Sequence, residues 1–143
     1  LSDAASALDW MQEINPNAPY VWVGGFSFGA WIGMQLLMRR PEVRGFISVA
    51  PPANMYDFSF LAPCPTSGLI LQGARDDIVP EPYVEKLVQK LRAQRGIDID
   101  YRVVDGANHF FKDDMKSLCV NIHDHMNKAG GGREVPTALI EAA

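Results

Sequence analysis

Apolar and polar positions follow two rhythms along this chain, and the switches between them mark out the elements. Residues 20–25 are continuously apolar, aromatic and β-branched, and residues 43–50 repeat the pattern through Val43, Phe46, Ile47 and Val49. Residues 67–72, ending at Gly73, and residues 97–104 do so twice more. Short apolar runs bounded by Gly and Pro predict strands covered on both faces, as in a parallel sheet.

Between these runs the period lengthens to that of a helix. Ala4, Ala7, Leu8, Met11 and Ile14 predict a helix over 2–14, with Ser2 as N-cap and Asn15-Pro16 as the stop. Residues 28–40 are apolar nearly all round and end at Pro41, which predicts a deeply buried helix. Pro82 opens an amphipathic helix whose inner face is Val84, Leu87, Val88 and Leu91, with Gly96 at its end. A last helix is expected over 111–126, with Met115, Leu118, Cys119, Ile122 and Met126 inward. Residues 54–65 carry Tyr56, Phe58, Phe60 and Leu61 without a clean period and predict an excursion over the sheet.

The resulting order, α-β-α-β-excursion-β-α-β-α, predicts an α/β fold: a parallel sheet with helices on both faces. One domain is expected over 1–129, and residues 130–143, opening with Gly130-Gly131-Gly132, read as a flexible tail. In such a sheet the chemistry gathers beyond the carboxyl ends of the strands.

Composition narrows the function classes. The 143 residues are 48% hydrophobic and 21% charged, which suits one globular domain. With 13 basic against 17 acidic residues the net charge is -4, which argues against nucleic acid and anionic membrane surfaces as partners. No apolar run reaches the about 18 residues of a membrane span. Asp3 and Asp9 sit where a leader peptide would be basic and then apolar, so a cytoplasmic protein is expected. Cys64 and Cys119 make no metal or redox motif and are expected to be buried, reduced thiols. Trp10, Trp22 and Trp31 are expected in the core. His123 and His125, two apart on a helix, face different directions, so a solvated surface is expected there rather than a metal site.

The candidate chemistry lies where the sheet rule puts it. Gly25-Phe26-Ser27-Phe28-Gly29 reads G-x-S-x-G between a predicted strand and a predicted helix. Such a turn holds a serine in a strained conformation with its hydroxyl exposed, and glycine removes the Cβ that would clash where strand and helix meet. Asp76 and Asp77 follow the third strand, and His109 follows the fourth. A serine hydroxyl needs an imidazole to take its proton, and the imidazole needs a carboxylate to orient it and balance its charge. The order serine, acid, histidine after three successive strands meets that need. Either aspartate could instead open a turn or a helix, and His109 alone could be a loop residue. The backbone N–H of Phe28, directly after the serine, would be one oxyanion donor. No cofactor or metal is implied.

These three segments, G-F-S-F-G, G-A-R-D-D-I-V-P and G-A-N-H-F-F, resemble the second half of an α/β-hydrolase. The likeness is to small bacterial serine hydrolases near the dienelactone hydrolases and the Xaa-Pro dipeptidyl-peptidase group, and it runs from about Leu1 to Ala129. It implies Ser27 as nucleophile, Asp76 rather than Asp77 as the acid, and His109 as the base. Dienelactone hydrolases proper carry cysteine at the elbow, so serine points toward esterase chemistry. The resemblance also implies early strands, and a loop with the second oxyanion donor, that this sequence does not contain. The strand at 20–25 would then be an open apolar edge, which invites pairing with a second copy of the chain.

The expected function is cleavage of small carboxylic esters or thioesters through an acyl-enzyme on Ser27. A dipeptidyl-peptidase-type serine peptidase, or a truncated, self-associating fragment without catalysis, are the other readings. The aromatic segment 54–65 favours an apolar acyl group.

Overall fold

The computed structural model describes residues 1–129 and 141–142. Four parallel strands form the sheet: β1 (Val21–Phe26), β2 (Val43–Val49), β3 (Gly68–Gly73) and β4 (Ile99–Val104). Helices connect or flank them: α1 (Ser2–Ile14), α2 (Phe28–Arg39), α3 (Glu81–Arg92) and α4 (Met115–Ala129). A two-residue strand, β5 (Glu141–Ala142), lies parallel to β1, so the order across the sheet is β4-β3-β2-β1-β5. From β1 to β4 each strand lies beside its predecessor, and all four therefore end at one rim of the sheet.

The alternation of side chains along each strand divides the core in two. On one face Val23, Phe46, Ile70 and Ile99 meet Leu8 of α1, Met34 and Leu37 of α2, and Val84, Val88 and Leu91 of α3. On the other, Ile47, Val49, Leu69, Leu71 and Phe111 meet Leu118, Ile122 and Met126 of α4. Leu69, Ile70 and Leu71 are each fully buried, as a central strand with helices on both faces requires.

Several expectations are corrected in detail. The first helix has Leu1, not Ser2, as its N-cap, and no side chain caps it. Its inner row is Leu1, Ala4, Ala5 and Leu8, while Ala7, Ile14 and Trp10 are exposed. Positions 7 and 14 drift off the face that 1, 4, 5 and 8 define at 3.6 residues per turn. In α4 the inner row is Leu118, Ile122, His125 and Met126, and Met115 and Cys119 face out. Cys64 is buried, which raises its thiol pKa above the usual value, whereas Cys119 is exposed. Trp22 and Trp31 pack on the core only in part. The third helix ends at Arg92, capped through Ala93 N–H to Gln89 O, and Gly96 belongs to the following turn, where its φ of 79° suits glycine.

The expected tail, 130–143, lies outside the described residues except for Glu141–Ala142. These pair with Gly24 and Gly25, where an open edge was expected. Val21, Trp22 and Val23 have no outer strand neighbour among the described residues. Among those residues, too, no helix is long and apolar enough to cross a membrane.

Candidate active site

The turn after β1 brings strand and helix backbones into close approach. Ser27 has φ 53° and ψ -119°, a conformation that L-residues avoid and that neighbouring structure must hold in place. It is held by its N–H, which donates to Val49 O at 2.8 Å, the end of the adjacent strand. A Cβ on Gly25 would lie 2.3 Å from Gly29 O, so the backbones of strand and helix touch there. Phe28 is the first residue of α2, and its N–H has no acceptor within the helix.

The acid comes from the turn after β3. Asp76 is buried, and its Oδ1 accepts the backbone N–H groups of Ile78 (3.0 Å) and Val79 (2.7 Å). Its Oδ2 faces His109 Nδ1 at 2.7 Å. Asp77 is exposed, and of the two aspartates Asp76 is the one that meets the histidine.

His109 comes from the turn after β4. Asn108 builds that turn, since its Oδ1 accepts from Phe110 N–H (3.1 Å) and Lys112 N–H (3.2 Å). Phe111, with φ 51°, drops fully into the core behind it. The expected last helix therefore starts four residues late, because 107–114 serves as the turn that carries His109. A Cβ on Gly73 would lie 2.4 Å from Ala107 O, so this turn rests directly on the end of β3.

His109 Nε2 lies 3.0 Å from Ser27 Oγ. The three side chains thus form one line of hydrogen bonds, with the Asp76 side chain 0% and the His109 side chain 5% exposed. Ser27 is half-buried at the open end. Such a line lets the imidazole take the hydroxyl proton while the carboxylate holds its tautomer and offsets its charge.

Three polar residues that sequence reasoning passed over support the line. Gln72, at the end of β3, is fully buried, and its Nε2 donates to Val79 O (2.7 Å) and Asp76 Oδ2 (3.3 Å). The signal was a lone amide in the apolar run Leu69-Ile70-Leu71. Asn54 Nδ2 donates to Ile78 O at 3.0 Å and ties the excursion to the acid turn. Gln94 donates to Leu61 O and accepts from Cys64 N–H, each at 2.6 Å, and so fastens the far end of the excursion to the turn after α3. Trp31 Nε1 donates to Asp57 O at 3.0 Å, which secures its middle.

With this geometry in view, comparison with known proteins identifies the lineage. The family model for the dienelactone hydrolase family matches residues 1–130. The chain belongs to the dienelactone hydrolase family. An uncharacterised protein of Rickettsia prowazekii is 51% identical over 128 residues, 87% of this chain and 54% of that protein. The crystal structure of a protein of unknown function from Agrobacterium tumefaciens is 56% identical, with a TM-score of 0.88 over 94% of this chain and 62% of that one. An α/β serine hydrolase without a lid from Xanthomonas campestris is 27% identical, with a TM-score of 0.78 over 89% of this chain and 55% of that one. The chain thus spans between half and two thirds of the length of these relatives. Its four parallel strands are those of an α/β-hydrolase fold.

His125 stands apart from this site and corrects another expectation. It is buried, not solvated, and its Nδ1 lies 2.8 Å from Asp100 Oδ2. Arg102 bridges Asp100 and Asp124, both at 2.8 Å. Its hydrogen bond to Asp100, with a smaller contribution from His125, holds that carboxyl below its usual pKa.

Proposed function

We propose that this hydrolase-family chain carries out serine hydrolysis of small carboxylic esters or thioesters. Ser27 Oγ attacks the carbonyl carbon as His109 Nε2 accepts its proton. The resulting oxyanion is held by the N–H of Phe28. His109 then returns the proton to the departing alcohol or thiol, leaving an acyl group on Ser27. Water, deprotonated by the same imidazole, releases the acid and restores the serine. Asp76 keeps His109 in the tautomer with its proton on Nδ1 and stabilises the imidazolium formed in each half-reaction.

The observation that carries this reading is the buried hydrogen-bond line from Asp76 through His109 to Ser27, at 2.7 and 3.0 Å. The positive φ of Ser27 on a strand-to-helix turn supports it independently.

Covalent labelling tests it. A fluorophosphonate probe is expected to modify Ser27, located by mass spectrometry, and Ser27→Ala and His109→Ala are expected to abolish both labelling and ester hydrolysis. Unchanged hydrolysis in either variant would sink the proposal.

A further inference from the structure

Two phenylalanines flank the nucleophile, and each belongs to a separate aromatic group. Phe28 contacts Trp31 and Tyr56, with ring centroids 5.7 Å from each. Phe26 packs on the other side, 5.2 Å from the His109 imidazole and 6.2 Å from Phe110. Phe110 stands edge-on to the same imidazole at 5.1 Å. These rings are not core: Phe26 is 41%, Phe28 49% and Phe110 63% exposed. Large apolar side chains gathered around a reactive group mark a surface that binds something apolar.

The chemistry says which part of the substrate meets which ring. On the reading of Ser27 and His109 given above, the imidazole must hand its proton to the departing oxygen or sulfur. That atom must therefore come within hydrogen-bond reach of Nε2. Whatever is attached to it lies beside the imidazole, and among the described residues the aromatic rings that pack on the imidazole are Phe26 and Phe110. Among the described residues, no charged side chain hydrogen-bonds to His109 other than Asp76, which lies on its far nitrogen.

We infer that Phe26 and Phe110 form a leaving-group subsite, and that the enzyme selects esters or thioesters whose alcohol or thiol portion is apolar and uncharged, aromatic above all. Phe110 is the specificity-determining residue. It is the more exposed of the two and lies in the turn that carries His109, outside the strand β1 that leads into Ser27. The inference rests on the hydrolase reading and deepens it, and the test separates the two.

Three acetate esters share one acyl group: methyl, benzyl and 4-carboxybenzyl acetate. Their alcohols are of similar acidity, so differences in kcat/KM report binding of the alcohol part. Benzyl acetate is expected to exceed both others by about tenfold, the scale of one aromatic contact expressed as a rate ratio. Phe110→Ala is expected to erase most of that margin, read as the ratio of kcat/KM for benzyl to methyl acetate within each enzyme; Phe110→Leu, which keeps an apolar side chain, is expected to retain part of it. Equal rates on all three esters, or a benzyl preference that survives Phe110→Ala, would overturn the subsite and leave the hydrolase intact. A Ser27 adduct with fluorophosphonate but no hydrolysis of any ester would overturn the subsite and the ester specificity, while leaving Ser27 a reactive nucleophile. Neither adduct nor hydrolysis would overturn both.

Discussion

Gln72 donates its side-chain amide to Oδ2 of Asp76, the same carboxylate oxygen that faces His109. A buried amide thus sits behind the acid and completes its hydrogen bonding from the core side. With two backbone N–H groups on Oδ1, the carboxylate has no freedom to rotate away from the imidazole. Its orientation is set before substrate arrives, and such preorganisation is what makes an electrostatic partner effective.

Gln72→Leu should therefore act on turnover more than on binding. The change strands the carbonyl of Val79 in the core and removes one partner of Asp76. A stability loss of about 1–3 kcal/mol is expected, the usual penalty for a buried polar group left unpaired. Steady-state kinetics should show kcat lowered by about tenfold with KM nearly unchanged, since in the proposed mechanism Asp76 acts through His109 and not on substrate. A rise in KM alone would argue that Gln72 does not position the acid.

The two adjacent aspartates give a sharper contrast. Asp76→Asn should lower kcat by about 10³–10⁴-fold, because an amide in that place favours the wrong imidazole tautomer. Asp77→Asn, at an exposed position one residue on, should stay within about twofold. Ester hydrolysis by the two purified variants, each checked for folding by circular dichroism, decides between the two aspartates.

Gly25→Ala tests the elbow as a steric device. The added methyl would sit 2.3 Å from Gly29 O and 2.6 Å from Ala30 N, both backbone atoms that cannot swing aside. Overpacking of this kind is expected to cost about 2–3 kcal/mol. Thermal unfolding should show it, and fluorophosphonate labelling of Ser27 should slow as the strand and helix are forced apart. An alanine variant as stable and as reactive as the parent would show that the close approach is unnecessary.

The Asp100–Arg102–His125 group predicts a pH dependence of stability. Asp100 has a carboxyl pKa below its unfolded value, chiefly because Arg102 hydrogen-bonds to it. A depressed carboxyl pKa contributes stability that is present above the unfolded pKa and is lost as pH falls through the folded one. Asp100→Asn should thus be less stable than the parent at pH 7, by about 0.5–1 kcal/mol for a pair partly open to solvent. The gap should close only as pH falls below the ordinary carboxylate range. Urea midpoints measured from pH 7 down to pH 3 would test this; a gap that persists at the acid end would place its origin outside this titration.

Much of this was legible in the sequence because it depends on neighbours in the chain. The strands at 21–26, 43–49, 68–73 and 99–104 follow from runs of residues that can only be buried. Helices follow where the period lengthens. Ser27, Asp76 and His109 could be nominated because each sits just past a strand end, and a parallel sheet brings strand ends to one rim. The polar support could not be found that way. Nothing local tells Gln72 that it will lie under Asp76, or Asn54 that it will reach Ile78. His125 looked like surface because spacing gives a helix face but not what that face meets.

The sequence by itself determined the alternation of strands and helices, the turn that strains Ser27, and the residue types available for chemistry, because these depend on backbone sterics and on patterns a few residues long. The motif resemblance already favoured Asp76 over Asp77, and the structure brings Asp76 to His109; only the tertiary structure decided that His109 is carried by a turn rather than by the start of a helix, and that Phe26 and Phe110 flank the imidazole. Those outcomes depend on how four strand ends are set against one another. Strand pairing and packing on both faces of the sheet fix that arrangement, and they act between residues far apart in the chain.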